Sequence, residues 1–328
     1  MWPISSRAPA PPAPARRHPL IGAPRGTPTD SQSAAFWARL RVRRELSMSD
    51  YLMRSQAPLT PVEWQAFDDA VVQVARRTLV ARRFLTVVGP LGPGVQSFAA
   101  DTYLAEEKGR ISLLGSEETD IVQVNSRRLA SLPILYRDFS LNWRDLESAR
   151  LQAMPLDTTA PSVAASAVTS SEDQLIFNGY DELGQEGFLN ATGRLRVPLG
   201  DWDAAGGGFA AVSNALRALV EHHFRGPFAL AVPPQLFVLL NRVFGNTGVL
   251  EIDQVKRLVG GGVYVTPALP ANTAVLVAPG PENMDLLISQ DLTIAFLEST
   301  AMQHHFRVLE IVALRVKRPG AICVLGQA

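Results

Sequence analysis

Residues 57–94 read APLTPVEWQAFDDAVVQVARRTLVARRFLTVVGPLGPG, and the first half of this stretch has the features of a well-defined helix. Thr60 and Glu63 have the spacing of a capping box. Pro61 stands at the first helical position, where its missing N–H costs no hydrogen bond. Apolar residues then recur every three or four positions, which predicts one apolar helix face. They are Trp64, Phe67, Val71, Val74, Leu79 and Val80.

In the second half of the stretch, the apolar residues no longer have helical spacing. Residues 84–88 are mostly aromatic or β-branched, which predicts a buried strand, and the glycines and prolines of 89–94 end it with a loop. No recognisable catalytic group stands in 57–94. The stretch therefore indicates a structural building block rather than part of an active site.

The composition is that of a globular protein. The 328 residues are 47% hydrophobic and have a formal net charge of zero, so the charge balance indicates neither a nucleic-acid nor a membrane partner. No apolar run approaches the length of a membrane span. The single cysteine, Cys323, excludes an intramolecular disulfide and a cysteine metal cluster, which is typical of a reducing cytoplasm.

The first 47 residues differ from the rest of the chain. They are rich in Pro, Ala, Ser and Arg, and Asp30 and Glu45 are their only acidic residues. Such a segment buries too little apolar surface to offset its ordering entropy, so residues 1–47 are predicted to be a disordered extension. A basic arm or targeting sequence is one alternative. Another is that translation starts at Met48.

Residues 95–131 alternate between polar and apolar positions and lack a compact hydrophobic run until 121–124. This pattern predicts a long β-hairpin with little core of its own, whose apolar contacts come from elsewhere, including another subunit. A strand at 132–141, a short helix at 143–150 and a longer helix at 161–177 follow.

The remainder of the chain indicates an inserted domain and a sheet. Between 181 and 262 the pattern is α/β, which predicts a second domain inserted into the first. Residues 263–328 are mostly β. The elements predicted here are helices at 209–224, 234–244 and 252–259, and strands at 228–232, 263–266, 274–278, 285–297, 306–316 and 321–325.

No constellation of residues predicts chemistry. The histidines are His18 and two adjacent pairs, at 222–223 and 304–305, and adjacent residues cannot share one face for chelation. The glycine clusters lack the motifs of phosphate loops, and no G-x-S-x-G elbow occurs. Glu172 and Asp173 are paired carboxylates that serve either acid/base chemistry or, as we favour, the binding of arginines. We therefore assign no catalytic, cofactor or metal residues.

Four stretches in this order resemble the shell proteins of encapsulin nanocompartments. They are APLTPVEW…ARRFLTVVGPLG (57–92), LPILYRDFSLNWRDLESA (132–149), SSEDQLIFNGYDELGQEGFLN (170–190) and MDLLISQDLTIAFLEST (284–300). The third matches the ED-x-x-IF-x-G end of the family's spine helix. The fourth is similar to a strand pair that contains Q-D-L. Together they span nearly all of the chain beyond residue 48.

The resemblance implies the α+β fold of tailed-phage major capsid proteins, of the Hong Kong 97 type. A peripheral domain would contain 48–94, 132–180 and 263–328. An extended loop would comprise 95–131 and pair with a neighbouring subunit, and an axial domain would comprise 181–262.

The family also implies a function and partners. Copies of the chain would form an icosahedral homo-oligomeric shell in the cytoplasm around a cargo enzyme. The cargo would be a dye-decolorising peroxidase or a ferritin-like or hemerythrin-like iron protein, hence a role in iron storage or oxidative stress. It would bind through a short C-terminal targeting peptide.

Carried over by position, the cargo-docking residues are Arg82, Phe84, Leu287 and Leu292. The family often has an acidic residue where this chain has Thr86, so cargo specificity would differ. Substitution of Arg82 or Phe84 by alanine is expected to reduce cargo loading and to leave assembly intact.

The resemblance also implies a pore at the fivefold axis, lined by the loop 194–201. Arg194, Arg196 and Asp201 would then influence ion passage electrostatically. The alternative is an ordinary solvated loop.

Two other functions stay open at this point. One is a phage or prophage major capsid protein, which would have the same fold. The other is an enzyme of the bacteriocin or peptidase type, and the missing nucleophile constellation argues against it.

Overall fold

A computed structural model describes residues 50–103, 111–115, 121–245 and 248–326. The predictions for 1–47 and for a start at Met48 lie outside these residues. The elements below belong to the compact unit Leu52–Ala328.

The first helix, α1 (Pro61–Thr78), begins as its sequence predicts. The Thr60 hydroxyl accepts the Glu63 N–H at 3.3 Å, and the Glu63 carboxylate accepts the Thr60 N–H at 2.7 Å. This reciprocal capping box satisfies two backbone donors that the first turn leaves unpaired. The buried face of α1 carries Trp64, Phe67, Val71 and Val74.

The remaining elements are strands and helices. In chain order they are β1 (Val87–Val88), β2 (Ser97–Tyr103), β3 (Val124–Ser131), β4 (Ile134–Asn142), α2 (Trp143–Leu151), α3 (Thr159–Asn178), β5 (Leu195–Pro198), α4 (Gly207–Glu221), β6 (Phe228–Val232), α5 (Pro234–Leu240), α6 (Glu251–Val259), β7 (Gly260–Val265), β8 (Ala274–Val277), β9 (Met284–Thr300), β10 (Gln303–Val316) and β11 (Ile322–Gly326).

The strand predicted at 84–88 is wrong for most of its length. Ala81–Arg83 form a 3-10 turn, and only Val87–Val88 are extended as a strand, parallel to β9. The reason is a distant contact: the Asp173 carboxylate of α3 accepts the N–H groups of Val80 and Ala81, which holds the chain in a turn. This tertiary interaction outweighs the local preference of these residues for a strand.

The first sheet contains four strands in the order β1-β9-β10-β4, and α1 and α3 pack on one face of it. Phe306 of β10 lies at the centre of an aromatic cluster in this core, with ring centroids 5.2 Å from Phe139 and 5.8 Å from Trp64. Phe67 and Phe296 contact the same ring at 6.2 and 5.4 Å. These contacts use the buried face of α1 that the sequence predicts.

The second sheet contains five strands in the order β5-β11-β8-β6-β7. Two of its strands, β8 and β11, come from the range 263–328, which the sequence assigns wholly to the peripheral domain. That range therefore supplies strands to both sheets, because β11 pairs with β5 and β8 pairs with β6. The predicted helix at 234–244 is also shorter than expected, since α5 ends at Leu240.

The hairpin predicted within 95–131 is confirmed for the described residues. β2 and β3 pair antiparallel, with Ser97 opposite Ser131 and Tyr103 opposite Val124. We call β2 and β3, with residues 111–115 and 121–123 between them, the arm. Its apolar side chains are largely exposed to solvent, as in Ile111, Leu113, Leu114, Ile121, Val122 and Leu129.

Candidate functional site

Arg82, in the 3-10 turn that follows α1, contacts three carboxylates from three different elements. Its side chain is only 17% exposed. Nε donates to Oε1 of Glu172 on α3 at 2.8 Å, and Nη2 donates to Oε2 of Glu310 on β10 at 2.8 Å. Nη1 donates to Oδ1 of Asp291 on β9 at 2.8 Å. One guanidinium therefore joins the helix end to the spine helix α3 and to the central strands of the first sheet. We call these four residues the Arg82 cluster.

A β-bulge brings two of these carboxylates together. Asp291 and Leu292 of β9 together oppose the single residue Glu310 of β10, which is where the strand register shifts. A bulge of this kind bends the strand and re-aims its side chains. Asp291 remains 63% exposed, whereas the side chains of Glu172 and Glu310 are fully buried.

The two buried carboxyls share one cation. Glu172 and Glu310 both accept from Nη2 of Arg82, at 2.7 and 2.8 Å. The second oxygen of Glu310, Oε1, is buried and has no hydrogen-bond partner among the described residues. Desolvation raises the pKa of Glu310 well above its usual range, and the negative charge of Glu172 raises it further. Burial beside Glu172 therefore favours the protonated form of Glu310 relative to an exposed glutamic acid.

Asp173, next to Glu172, holds the backbone of the same turn. Its carboxylate accepts the N–H of Val80 at 3.1 Å and that of Ala81 at 3.1 Å. Burial raises the pKa of Asp173 to about 6. The favoured interpretation of the Glu172 and Asp173 pair, the structural binding of arginines, is confirmed for Glu172 by its contact with Arg82, whereas Asp173 binds backbone N–H groups instead.

The four predicted docking residues do not form one continuous exposed surface. Phe84 is half-buried and lies 5.1 Å from the ring of Tyr264 and 6.3 Å from that of Phe188. Leu287 is only 2% exposed and belongs to a core cluster beneath the arm. Leu292 is half-buried at the bulge, beside the Arg82 cluster. Phe84 and Leu292 retain surface that a partner can contact, and Leu287 offers almost none.

The sequence interpretation missed the roles of Asp291 and Glu310. Asp291 stands in the quoted Q-D-L stretch, but nothing local indicates its partner. Glu310 had a usable signal: it occupies an inward position of β10, between the buried residues Val308 and Val312. A lone acidic residue on the apolar face of a strand requires a buried counter-charge or a proton.

The predicted pore residues lie at and around β5: Arg194 precedes the strand, Arg196 belongs to it and Asp201 follows it. Arg194 is half-buried, and its Nη1 donates to the carbonyl of Ala191 at 2.8 Å. Burial, together with the positive charge of Arg196, lowers the pKa of Arg194. Arg196 and Asp201 are exposed and line adjoining open depressions of about 490 and about 550 Å³. Both depressions are bounded by Pro198, Asn272 and Gly326.

The loop after β5 is anchored from the opposite side by Arg242 and Glu251. Arg242 donates to the carbonyls of Asp203 and Ala204 at 2.7 and 2.9 Å. The buried Glu251 accepts the N–H of Phe209 at 2.7 Å, at the start of α4. A carboxylate at a helix N-terminus is favourable for the helix dipole. The position of Asp201 is therefore set by side chains distant in sequence.

Other chemically versatile residues have structural surroundings. His304 Nδ1 lies 2.7 Å from the Ser299 hydroxyl. Burial raises the pKa of the Cys323 thiol to about 12, which keeps it protonated and unreactive. Within the described ranges, no three or more His, Cys, Asp or Glu residues are grouped so that they could hold a metal ion. None of the helices described combines the length and apolar content that a membrane crossing requires.

Comparison with known proteins identifies relatives over most of the chain. A family model described as encapsulating protein for peroxidase matches residues 48–313. The type 1 encapsulin shell protein EncA of Myxococcus xanthus is 45% identical over 281 residues, which are 86% of this chain and 98% of that protein. A diheme-cytochrome-encapsulin shell fusion protein of Kuenenia stuttgartiensis is 38% identical and is matched over 83% of this chain and 74% of its own length.

Solved structures share the fold at lower sequence identity. A virus-like particle from Pyrococcus furiosus superposes with a TM-score of 0.66 at 22% identity, over 80% of this chain and 98% of that one. The capsid of Myoviridae phage XM1 superposes with a TM-score of 0.54 at 14% identity, over 75% of this chain and 90% of that one. The α+β capsid fold of tailed phages, expected from the sequence, is thereby confirmed.

The substitution Arg82→Ala is expected to destabilise the folded subunit by about 3 kcal/mol or more, because it leaves the buried carboxyl groups of Glu172 and Glu310 without their cation. Thermal or denaturant unfolding would measure the loss. The matched control is Arg83→Ala, which removes an exposed guanidinium that donates to the carbonyl of Arg77. Equal stability of the two variants would contradict the role assigned to Arg82. Because the subunit itself is expected to lose stability, Arg82→Ala should also impair assembly, whereas the family resemblance alone implies that assembly stays intact.

The substitution Glu310→Gln is expected to change the pH dependence of stability. Glu310 has a higher pKa in the folded chain than in the unfolded chain, where it is about 4.3. Between those two values the folded state binds one more proton, so wild-type stability falls as pH rises. Glutamine cannot titrate. The free energy of unfolding of the variant, relative to that of the wild type, should therefore rise by about 1.4 kcal/mol per pH unit between the two pKa values.

The measurement is thermal unfolding of both proteins between pH 5 and 9. Asp173, which titrates in the same direction, is present in both and cancels in the difference. Asp291→Asn is the control, since it alters an exposed carboxylate on the same guanidinium. Parallel stability curves for Glu310→Gln and the wild type would show that Glu310 is ionised throughout.

Proposed function

This chain belongs to the family of encapsulating proteins for peroxidase, which includes the type 1 encapsulin shell proteins, and we propose that it is a shell subunit that self-assembles around a cargo protein. The relationship at 45% identity over nearly the whole length of a shell protein carries this proposal. The capsid fold is consistent with it, because that fold recurs in proteins that form closed particles. We propose icosahedral symmetry and a location in the cytoplasm.

The exposed arm supports assembly. Leu129 of β3 is exposed, and so are the apolar residues 111, 113 and 114 nearer the arm's tip. A two-stranded hairpin is only marginally stable without further packing. Exposed apolar side chains on such a hairpin indicate an interface that becomes buried when copies of the chain associate. The arm would thus exchange its solvent contacts for contacts with a neighbouring subunit.

Cargo binding is the second part of the proposal. The relative from Kuenenia stuttgartiensis is named as a fusion of a shell protein with a diheme cytochrome. For this chain we propose a separate cargo that docks through a C-terminal peptide at the surface around Phe84 and Leu292. The Arg82 cluster would hold this surface in place from beneath. The class of cargo, a peroxidase or an iron protein, stays an expectation from the family.

The loop 194–201 is proposed as a pore lining. Arg196 and Asp201 are exposed and carry opposite charges, so both can influence passing ions. Arg194 is a weaker candidate because it is half-buried and bonded to Ala191. We propose no catalytic activity for the chain itself.

Two alternatives are less well supported. A phage capsid protein would share the fold, but the shell proteins named above match at much higher identity than the phage XM1 capsid does. An enzyme of the bacteriocin or peptidase type would need a nucleophile with an adjacent base. His304 does contact the Ser299 hydroxyl at 2.7 Å, but no carboxylate is hydrogen-bonded to its imidazole among the described residues, so the third group that would orient the base is missing. Cys323 is buried, and burial raises the pKa of its thiol.

The assembly proposal is tested by the substitution Leu129→Asp on the arm. The purified wild-type chain should elute as large uniform particles in size-exclusion chromatography with light scattering. Leu129→Asp should shift most of the protein to small species, since a charge in a buried interface is strongly unfavourable. The control is Val62→Asp on α1, which is equally exposed, at 79% against 78%. A wild-type protein that remains monomeric or dimeric would overturn the proposal.

Docking is tested by Thr86→Arg. Thr86 is exposed and lies between Phe84 and β1, so a long charged side chain there should cover the proposed surface without removing any core contact. We expect intact particles that retain much less co-purifying protein from the native host, as quantified by mass spectrometry. Gln73→Arg, at an exposed position on α1, is the control. Unchanged loading of the Thr86→Arg particles would exclude this surface.

A further inference from the structure

The arm rests on the body of the subunit through one face of its hairpin. Phe98, Ala100, Arg128 and Ala130 lie on that face, because Phe98 is opposite Ala130 and Ala100 is opposite Arg128. Both alanines are buried, and their small side chains permit close approach. Phe98 packs with a core cluster that includes Leu287.

Arg128 joins β3 to the loop that leaves the spine helix. Its Nη1 donates to the carbonyl of Gly184 at 3.0 Å, and its Nη2 donates to Oε2 of Glu186 at 2.8 Å. Between these two partners, the buried Gln185 donates its Nε2–H to the carbonyl of Ser131 at 2.9 Å. Three consecutive residues of one loop therefore hold the end of β3, where the arm joins the body.

This loop, residues 179–190, which we call the exit loop, is bonded tightly to the end of α3. The N–H groups of Phe188 and Leu189 donate to carbonyls in the last turn of α3 at 2.9 and 2.8 Å. A Cβ atom on Gly187 would lie 2.2 Å from the backbone nitrogen of Gly179, so only glycine permits this approach. Asn190 accepts the Gly187 N–H at 2.7 Å. The exit loop is thus a rigid extension of the spine helix.

A second contact fixes the other strand of the arm. The N–H of Tyr103, the last residue of β2, donates to the carbonyl of Lys317 at 2.9 Å. The hairpin is therefore held at Arg128 on one strand and at Tyr103 on the other. Two attachment points on different strands restrict rotation of the arm about its own axis as well as its tilt.

We infer that Arg128 is a positioning residue which, through the exit loop, sets the direction in which the arm leaves the subunit for its neighbour in the shell. This inference rests on the proposed shell function. A closed symmetric particle requires the same arm direction in every copy. A strand segment of seven residues spans about 23 Å, so a tilt of about 10° at the attachment points Arg128 and Tyr103 displaces the end of such a segment beyond them by about 4 Å. That displacement is enough to separate atoms in van der Waals contact.

The contribution of Arg128 should concern assembly rather than folding. Arg128 is 44% exposed, and exposed ion pairs add little to folding stability. Arg127, the adjacent residue, provides a matched comparison. It forms a bidentate pair with Asp101 at 2.7 and 2.8 Å, and both of these residues belong to the arm itself. Loss of Arg127 removes an ion pair within the arm and leaves the attachment to the body unchanged.

The experiment compares Arg128→Ala, Arg127→Ala and the wild type by mass photometry over a range of subunit concentrations. For Arg128→Ala we expect the half-assembly concentration to rise about tenfold, the scale set by the loss of one good contact per subunit. The diameter distribution should also broaden. The thermal midpoint of the dissociated subunit should be unchanged. Arg127→Ala should behave like the wild type.

A charge exchange between Arg128 and Glu186 provides an independent test. Arg128→Glu combined with Glu186→Arg restores the ion pair in reverse and should recover part of the assembly that Arg128→Glu alone loses. The inference is overturned if Arg128→Ala assembles like the wild type or if Arg127→Ala impairs assembly equally. A wild-type chain that forms no particles would instead contradict the proposed function.

Discussion

The architecture of this subunit depends on one buried guanidinium. Arg82 binds Glu172 of α3, Glu310 of β10 and Asp291 of β9, and so attaches the end of α1 to the spine helix and to the centre of the first sheet. Because two of the three carboxyls are fully buried, the cluster cannot lose its cation without leaving an uncompensated charge in the core. The turn after α1, the bulge in β9 and the surface around Phe84 all depend on this contact.

Hydrogen bonds connect the Arg82 cluster, through the spine helix and the exit loop, to the root of the arm. The spine helix, held near its middle by Arg82 and Thr78, continues at its end into the exit loop. That loop in turn binds the root of the arm through Arg128 and Gln185. A continuous series of hydrogen bonds therefore runs from the core of the subunit to the segment proposed to contact its neighbour. A shell protein needs such rigidity, because small errors in direction accumulate over a closed surface.

The sequence predicts this fold well where the determinants are local. The capping box of α1 involves Thr60 and Glu63, three residues apart, and the helix begins where it was predicted. The strand at 84–88 was wrong because its competitor, Asp173, binds from 93 residues away along the chain. Glu310, 228 residues from Arg82, was missed for the same reason. The membership of β8 and β11 in the second sheet was missed as well, since strand order in a sheet depends on contacts that periodicity does not encode.

Of the candidate site, the positions of Phe84 and Leu292 agree with a partly accessible surface. The burial of Leu287 follows from the arm packing above it.

The central claim is that this chain becomes a shell through the arm, which has a fixed direction and exposes apolar side chains until a neighbour covers them. Cryo-electron microscopy of the purified full chain tests the claim most directly. The account predicts a hollow closed particle in which Leu129 of every arm is buried against an adjacent subunit and Arg128 retains its contacts with Gly184 and Glu186. A map of isolated subunits, or of particles in which the arm contacts no neighbour, would contradict it.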